Sequence, residues 1–213
     1  MTPHDPDAPR GVILMLHGGQ QRSHDPVQNK NSSWWRMALM ARSLTPFAEE
    51  HDLALMLVQY RKRGWNNETD PDPVQDARFA LAEIARRYVD LPIVVVGHSM
   101  GGRTACRIAD GDDVVGVTAL APWLPEGEPT TAMAGKQLRV IHGTRDRWTS
   151  AKWSRDFVER CQGFAASATW TAMPGVGHFM LRRVGKWNRF VEDSVSDIFG
   201  LSLQKGAPTE GTP

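Results

Sequence analysis

Six short runs of consecutive apolar residues constrain this chain more than any other feature. They are GVILMLHG (11–18), LALMLVQY (53–60), LPIVVVGH (91–98), VVGVTALAP (114–122), QLRVIHG (137–143) and SATWTAMP (167–174). Continuous rather than alternating apolarity suits strands covered on both faces, which points to a parallel sheet held between helical layers. The intervening segments supply those layers. SWWRMALMARSLTPFAEEH, DPVQDARFALAEIARRYV, GGRTACRIADG, TSAKWSRDFVERCQGF and KWNRFVEDSVSDIFG place apolar residues three or four apart, the spacing of one helix face. Ser32 or Ser33, Asp72 followed by Pro73, and Gly200 are cap signals, while Pro46 predicts a kink or break. Strand–helix alternation over 11–200 therefore predicts one α/β domain, a mainly parallel sheet of about six strands with helices on both faces. The polar, proline-rich residues 1–10 read as an N-terminal extension, and 201–213, poor in apolar groups, as a disordered tail.

Charge and cysteine usage exclude several function classes. The formal net charge is +1 and the basic residues are scattered, so neither a nucleic-acid footprint nor a membrane-surface patch is expected. The N-terminus lacks the basic and apolar regions of a signal peptide, and no apolar run approaches a membrane span. The expected location is the cytoplasm. Cys106 and Cys161 have no metal or disulfide spacing and read as reduced packing residues. With no H-E-x-x-H, no paired C-x-x-C and no G-x-x-x-x-G-K-[ST] in the sequence, no metal and no cofactor is expected.

The third run ends in Gly97-His98-Ser99-Met100-Gly101-Gly102, and a helical pattern begins at once. A serine on so tight a strand-to-helix turn needs a strained backbone, and glycines on either side remove the Cβ atoms that would collide with it. The turn exposes the hydroxyl and aims the first helix amides at the same space. In open parallel sheets such loops gather at the carboxyl ends of the strands. Three further segments follow other strands there: LHGG (16–19), HGTRDRWTS (142–150) and MPGVGHFML (173–181).

Together these four segments resemble the α/β-hydrolase superfamily, in its order nucleophile, acid, histidine. The resemblance covers about 11–200 and implies Ser99 as nucleophile, Asp146 as acid and His178 as base. Two backbone N–H groups would receive the oxyanion: Met100 N–H, and Gly19 N–H with Gln20 as its competitor. Glu126 and Glu128 are rival acids, because they follow the preceding strand. His17, His98 and His142 also sit in the motif segments and read as structural. The family's usual first two strands have no room here, so the resemblance implies a reduced fold of six strands in the order second, first, third, fourth, fifth, sixth. The short connection 123–136 leaves no space for a cap domain.

The implied activity is hydrolysis of a small-molecule carboxylic ester or thioester through an acyl-enzyme. C–C bond hydrolysis, acyl transfer and lyase chemistry use the same fold and triad, and a non-catalytic ligand-binding relative is a further alternative. Oligomeric state is not legible. Trp34, Trp35, Trp65, Trp123 and Trp148 lie beyond strand ends, where aromatics line a mouth for apolar groups or simply pack under loops. The long polar loop 18–35 is expected to provide partial cover. Arg61, Lys62 and Arg63 either meet an anionic substrate or are solvated.

Overall fold

The computed structural model describes residues 1–201, so the tail expected over 201–213 lies outside the described residues from 202 onward. Leu201 itself is not tail: its N–H donates to Ser196 C=O at 2.8 Å and its side chain packs against the core.

The six apolar runs become strands β1 (Gly11–Leu16), β2 (Leu53–Val58), β3 (Ile93–His98), β4 (Val114–Leu120), β5 (Gln137–Gly143) and β6 (Ser167–Met173). All five pairings are parallel, in the order β2-β1-β3-β4-β5-β6. The order is the one the resemblance implies. β1 and β3 are buried at every residue, as continuous apolar runs require, whereas β6 lies at the sheet edge and is largely open to solvent.

The other edge belongs to β2, and the first residues of the chain cover it. Met1 C=O accepts from Leu57 N–H at 2.8 Å, and His4 C=O accepts from Leu55 N–H at 2.9 Å, an antiparallel pairing. This satisfies backbone groups that an edge strand otherwise leaves free.

Five helices link the strands: α1 (Ser32–Glu50), α2 (Asp72–Arg87), α3 (Met100–Arg107), α4 (Ala151–Cys161) and α5 (Val184–Phe199). The chain reverses direction across the sheet after β2. Right-handed crossovers then put α1 on one face and α2, α3 and α4 on the other. α5 returns to pack on α1, and α2 touches α3. Between β4 and β5 there is only a single 3-10 turn, Thr131–Met133, so no cap domain covers the strand ends. No helix among the described residues is long and apolar enough to cross a membrane.

Local signals held unevenly. Gly200 ends α5 in the left-handed conformation at φ 65°. α1 starts after Asn31 rather than being capped by Ser32 or Ser33, and it continues through Pro46 to Glu50. Pro46 has no N–H to offer Arg42 C=O, yet the helix runs one more turn beyond it. Asp72 is the first residue of α2 and Pro71 precedes it as N-cap. The two cysteines are free and buried.

Candidate active site

β1 and β3 are neighbours, yet their following helices go to opposite faces, so a crevice opens between their carboxyl ends. The loops after both strands meet there. Ser99, between β3 and α3, has φ 56° and ψ −117°, a conformation that non-glycine residues rarely adopt. Such a residue costs of order 1–3 kcal/mol and persists only where its surroundings hold it. Ser99 N–H donates to Leu120 C=O, and Ser99 C=O accepts from Gly102, Arg103 and Trp123 N–H, all between 3.0 and 3.2 Å. The flanking glycines are a steric requirement. A Cβ on Gly97 would fall within 3.0 Å of the Gly101 backbone, and one on Gly101 within 3.0 Å of Leu16 and His17 C=O.

The serine hydroxyl lies 2.9 Å from His178 Nε2, and His178 Nδ1 lies 2.8 Å from Asp146 Oδ2. Three residues far apart in sequence thus form one hydrogen-bonded chain. Asp146 is gripped on both oxygens: Trp148 and Thr149 N–H donate to Oδ1 at 2.8 and 2.9 Å, and the Thr149 hydroxyl donates to Oδ2 at 2.9 Å. Burial alone would raise its pKa. Hydrogen bonds from His142, His178 and Thr149 N–H, with the charge of His178, outweigh burial and hold the carboxyl well below the usual carboxylate range. It is therefore an anion at all working pH values.

The three histidines read as structural divide into two kinds. His17 donates from Nδ1 to Gly18 C=O at 2.6 Å and accepts at Nε2 from Tyr60 N–H at 3.2 Å. His98 donates from Nε2 to His178 C=O at 3.0 Å, bracing the loop that carries His178. Burial lowers their pKa values to about 4 and about 3, so both are neutral. His142 differs: its Nε2 lies 3.2 Å from Asp146 Oδ2, the oxygen that His178 also uses. Its Nδ1 is 2.8 Å from Ser154 Oγ, which accepts from Trp170 Nε1 at 2.9 Å. A carboxylate needs a donor facing it, so Nε2 carries the proton and Nδ1 is an acceptor for the Ser154 hydroxyl, which Ala151 C=O also faces at 3.0 Å. His142 thus supports the acid as well as the fold. The sequence placed it in HGTRD but carried no sign of which way its ring faces.

The rival amides of Gly19 and Gln20, in the loop after β1, differ in their hydrogen bonds. Gln20 N–H already donates to Arg63 C=O at 2.8 Å. Gly19 N–H and Met100 N–H meet no acceptor among the described residues. A Cβ on Gly19 would come within 3.0 Å of both Arg63 C=O and the Met100 thioether. The Met100 side chain, 1% exposed, therefore spaces the two loops, a role beyond its N–H. This arrangement offers a nucleophilic hydroxyl, a base held in one tautomer and two unpaired amide donors on one crevice.

Other expected site residues are placed differently. Glu128 is buried between Arg103 and Arg107 and its carboxylate is fully occupied by them, while Glu126 is exposed; neither meets His178. Trp65 is 1% exposed and Trp34 is also buried, so they do not stand open at a mouth. The Arg103 guanidinium lies over both Trp65 and the half-buried Trp123, 4.0 and 4.6 Å from their centroids, in the corner where the two rings meet edge-on at 5.9 Å. Trp148 is 73% exposed and stacks edge-on with Phe179, the residue after His178, at 5.3 Å. Trp35 is exposed on α1. Arg61, Lys62 and Arg63 pair with Asp76, Asp72 and Asp25. The loop after β1 bridges this basic segment at Gln20–Gly64 and Pro26–Lys62. A groove of about 1150 Å³ lies away from this crevice, between β2, α2 and the N-terminus.

Comparison with known proteins bears on family and fold. A family model described as the alpha/beta hydrolase family matches residues 13–196. A search of curated protein sequences finds no match. Among solved structures, the chain is similar to a thermophilic esterase, Est2, from Thermogutta terrifontis, with 16% identity, TM-score 0.68 and coverage of 96% of this chain and 87% of that one. It is also similar to an α/β serine hydrolase without lid from Xanthomonas campestris, at 19% identity and TM-score 0.64, covering 91% of this chain and 85% of that one. A third, Est1E from Butyrivibrio proteoclasticus, shares 12% identity at TM-score 0.64, covering 90% and 89%. At these identities the likeness is one of fold.

Proposed function

The chain belongs to the alpha/beta hydrolase family, and from that membership we propose that it is a serine hydrolase cleaving a carboxylic ester or thioester through an acyl-enzyme. One observation carries the reading: His178 lies between Ser99 Oγ and Asp146 Oδ2 at hydrogen-bond distance from each, and the nearby Gly19 and Met100 N–H groups meet no acceptor among the described residues. Ser99 attacks the acyl carbon as His178 Nε2 takes its proton, because a neutral hydroxyl is a weak nucleophile. Asp146 keeps the His178 proton on Nδ1 and stabilises the imidazolium that forms. Gly19 and Met100 N–H receive the oxyanion of the tetrahedral intermediate, and losing one such donor typically costs about 10²–10³ in rate. The imidazolium then protonates the leaving alcohol or thiol, and water repeats the sequence to free the acid. With no cap domain, Ser99 is reached from an open face, which suits bulky acyl or leaving groups.

The test is labelling by a fluorophosphonate probe together with turnover of a simple p-nitrophenyl ester. Stoichiometric labelling that disappears in Ser99→Ala is expected. Absence of labelling, or labelling that survives the substitution, refutes the proposal.

A further inference from the structure

Exposed cations around the crevice, such as Arg22, Arg145, Arg147, Arg182 and Arg183, have no ion pair among the described residues, whereas the less exposed ones are paired apart from Arg36. Arg61, Lys62 and Arg63 are paired with aspartates, and Arg103 and Arg107 with Glu128. Arg36, in the second turn of α1, has no hydrogen-bond or ion-pair partner among the described residues, and its Nε is buried. Its guanidinium lies over the Phe179 ring, 4.9 Å from the centroid. Phe179 in turn meets the His178 ring edge-on at 5.3 Å, and Trp148 at 5.3 Å on another side. An unpaired, half-buried cation is thus two ring contacts from the base. Burial lowers the Arg36 pKa, and its charge helps depress His98, as expected for a guanidinium without a counter-ion.

The position has a chemical meaning within the hydrolase reading, on which this inference rests. The imidazolium must reach the leaving-group atom, so the surface adjoining His178 is where the leaving group lies. That surface is aromatic and exposed, Phe179 at 36% and Trp148 at 73%. At its far side stands a guanidinium with free donors. Planar rings stack on aromatic side chains, and a guanidinium recognises an anion through paired N–H groups.

We propose that Phe179, Trp148 and Arg36 form a leaving-group subsite for an aromatic or other planar alcohol or thiol that carries a negative charge. Arg36 there selects the substrate rather than performing chemistry. An anion at Arg36 supplies the partner that its half-buried guanidinium lacks among the described residues.

The experiment compares 4-acetoxybenzoate, whose leaving phenol carries an ionised carboxylate, with the uncharged 4-acetoxybenzamide. Each kcat/KM is normalised to that ester's hydroxide-catalysed rate. The wild-type protein is expected to favour the anion by about tenfold to a hundredfold, the range for hydrogen bonds to charged groups. Arg36→Met keeps an apolar stem over Phe179 and should abolish the preference; Arg36→Lys should restore part of it. Added salt should weaken the wild-type preference. An anion-to-amide ratio that is unchanged in Arg36→Met, or a wild-type preference for the amide, overturns the subsite while leaving the hydrolase reading intact. Failure to turn over either ester, with no fluorophosphonate labelling of Ser99, overturns both.

Discussion

Glu128 and Asp146 are two buried carboxylates that follow successive strands, and replacing each in turn separates structural from chemical charge. The Glu128 side chain is 1% exposed; its Oε2 pairs with Arg103 NH2 at 2.7 Å and its Oε1 with Arg107 Nε. Arg103 is itself 3% exposed, and without Glu128 its one remaining partner is Glu68, 64% exposed. Glu128→Ala therefore leaves a buried guanidinium, packed against Trp65 and Trp123, with a largely solvated counter-ion. Breaking a buried pair in this way costs about 3–5 kcal/mol, a large part of the roughly 5–15 kcal/mol that holds a domain folded. For a chain of 213 residues, at about 2–4 °C per kcal/mol, Tm should fall by about 6–20 °C. Thermal unfolding by circular dichroism gives the stability, and fluorophosphonate titration counts competent sites so that activity is expressed per folded molecule. Turnover per titrated site should fall severalfold at most. Asp146→Asn should behave in the opposite way, with turnover down by about 10⁴ because His178 loses its tautomer partner. Adding Arg103→Met to Glu128→Ala should return much of the lost stability, since removing the stranded charge removes the penalty. A cost below about 1 kcal/mol for Glu128→Ala would refute the buried-charge argument. Loss of turnover in Glu128→Ala with retention in Asp146→Asn would refute the assignment of the acid.

Two further expectations concern the histidines. His17 and His98 are neutral in the fold, with pKa values of about 4 and about 3 against an ordinary 6.5. The unfolded chain then binds more protons below pH 6.5, so stability falls as pH drops, by up to about 1.4 kcal/mol per pH unit for each group. Asp146, whose pKa is depressed, contributes stability that is lost only on acidification below the ordinary carboxylate range, so it does not mask this effect. Urea midpoints at pH 7 and pH 5 should differ by about 4 kcal/mol in stability, about half of it removed in His98→Asn; equal midpoints would contradict neutral burial. For His142, the Ser154→Ala and His142→Gln variants should lower kcat by about tenfold with little change in KM, because Asp146 loses a donor that orients it. The low-field proton resonance of the His178–Asp146 hydrogen bond should shift in both, and an unmoved resonance would restrict His142 to packing.

The strand order and the meeting of Ser99, His178 and Asp146 were legible in the sequence only through the resemblance of their segments to the α/β-hydrolase superfamily. The six strands, the helices between them and the tight turn at Ser99 were legible because each depends on local rules. Continuous apolar runs demand burial on both faces, and Gly97 and Gly101 flank Ser99 because a Cβ at either position meets backbone atoms. Folding then brought together what spacing could not. The Gln20 N–H is taken by Arg63, more than forty residues away, while the Gly19 N–H meets no acceptor among the described residues. Trp65 left the mouth because Arg103 and Trp123 enclose it, and Glu128 lost its claim as acid to two arginines on α3. His142 gained a place beside Asp146 through the orientation of its ring, and Arg36 gained significance because its buried Nε finds no partner among the described residues. Residue type and spacing carry backbone conformation and burial, which act over a few positions. Which side chain takes which hydrogen bond or counter-ion is a competition among distant groups, and only the packed structure decides it.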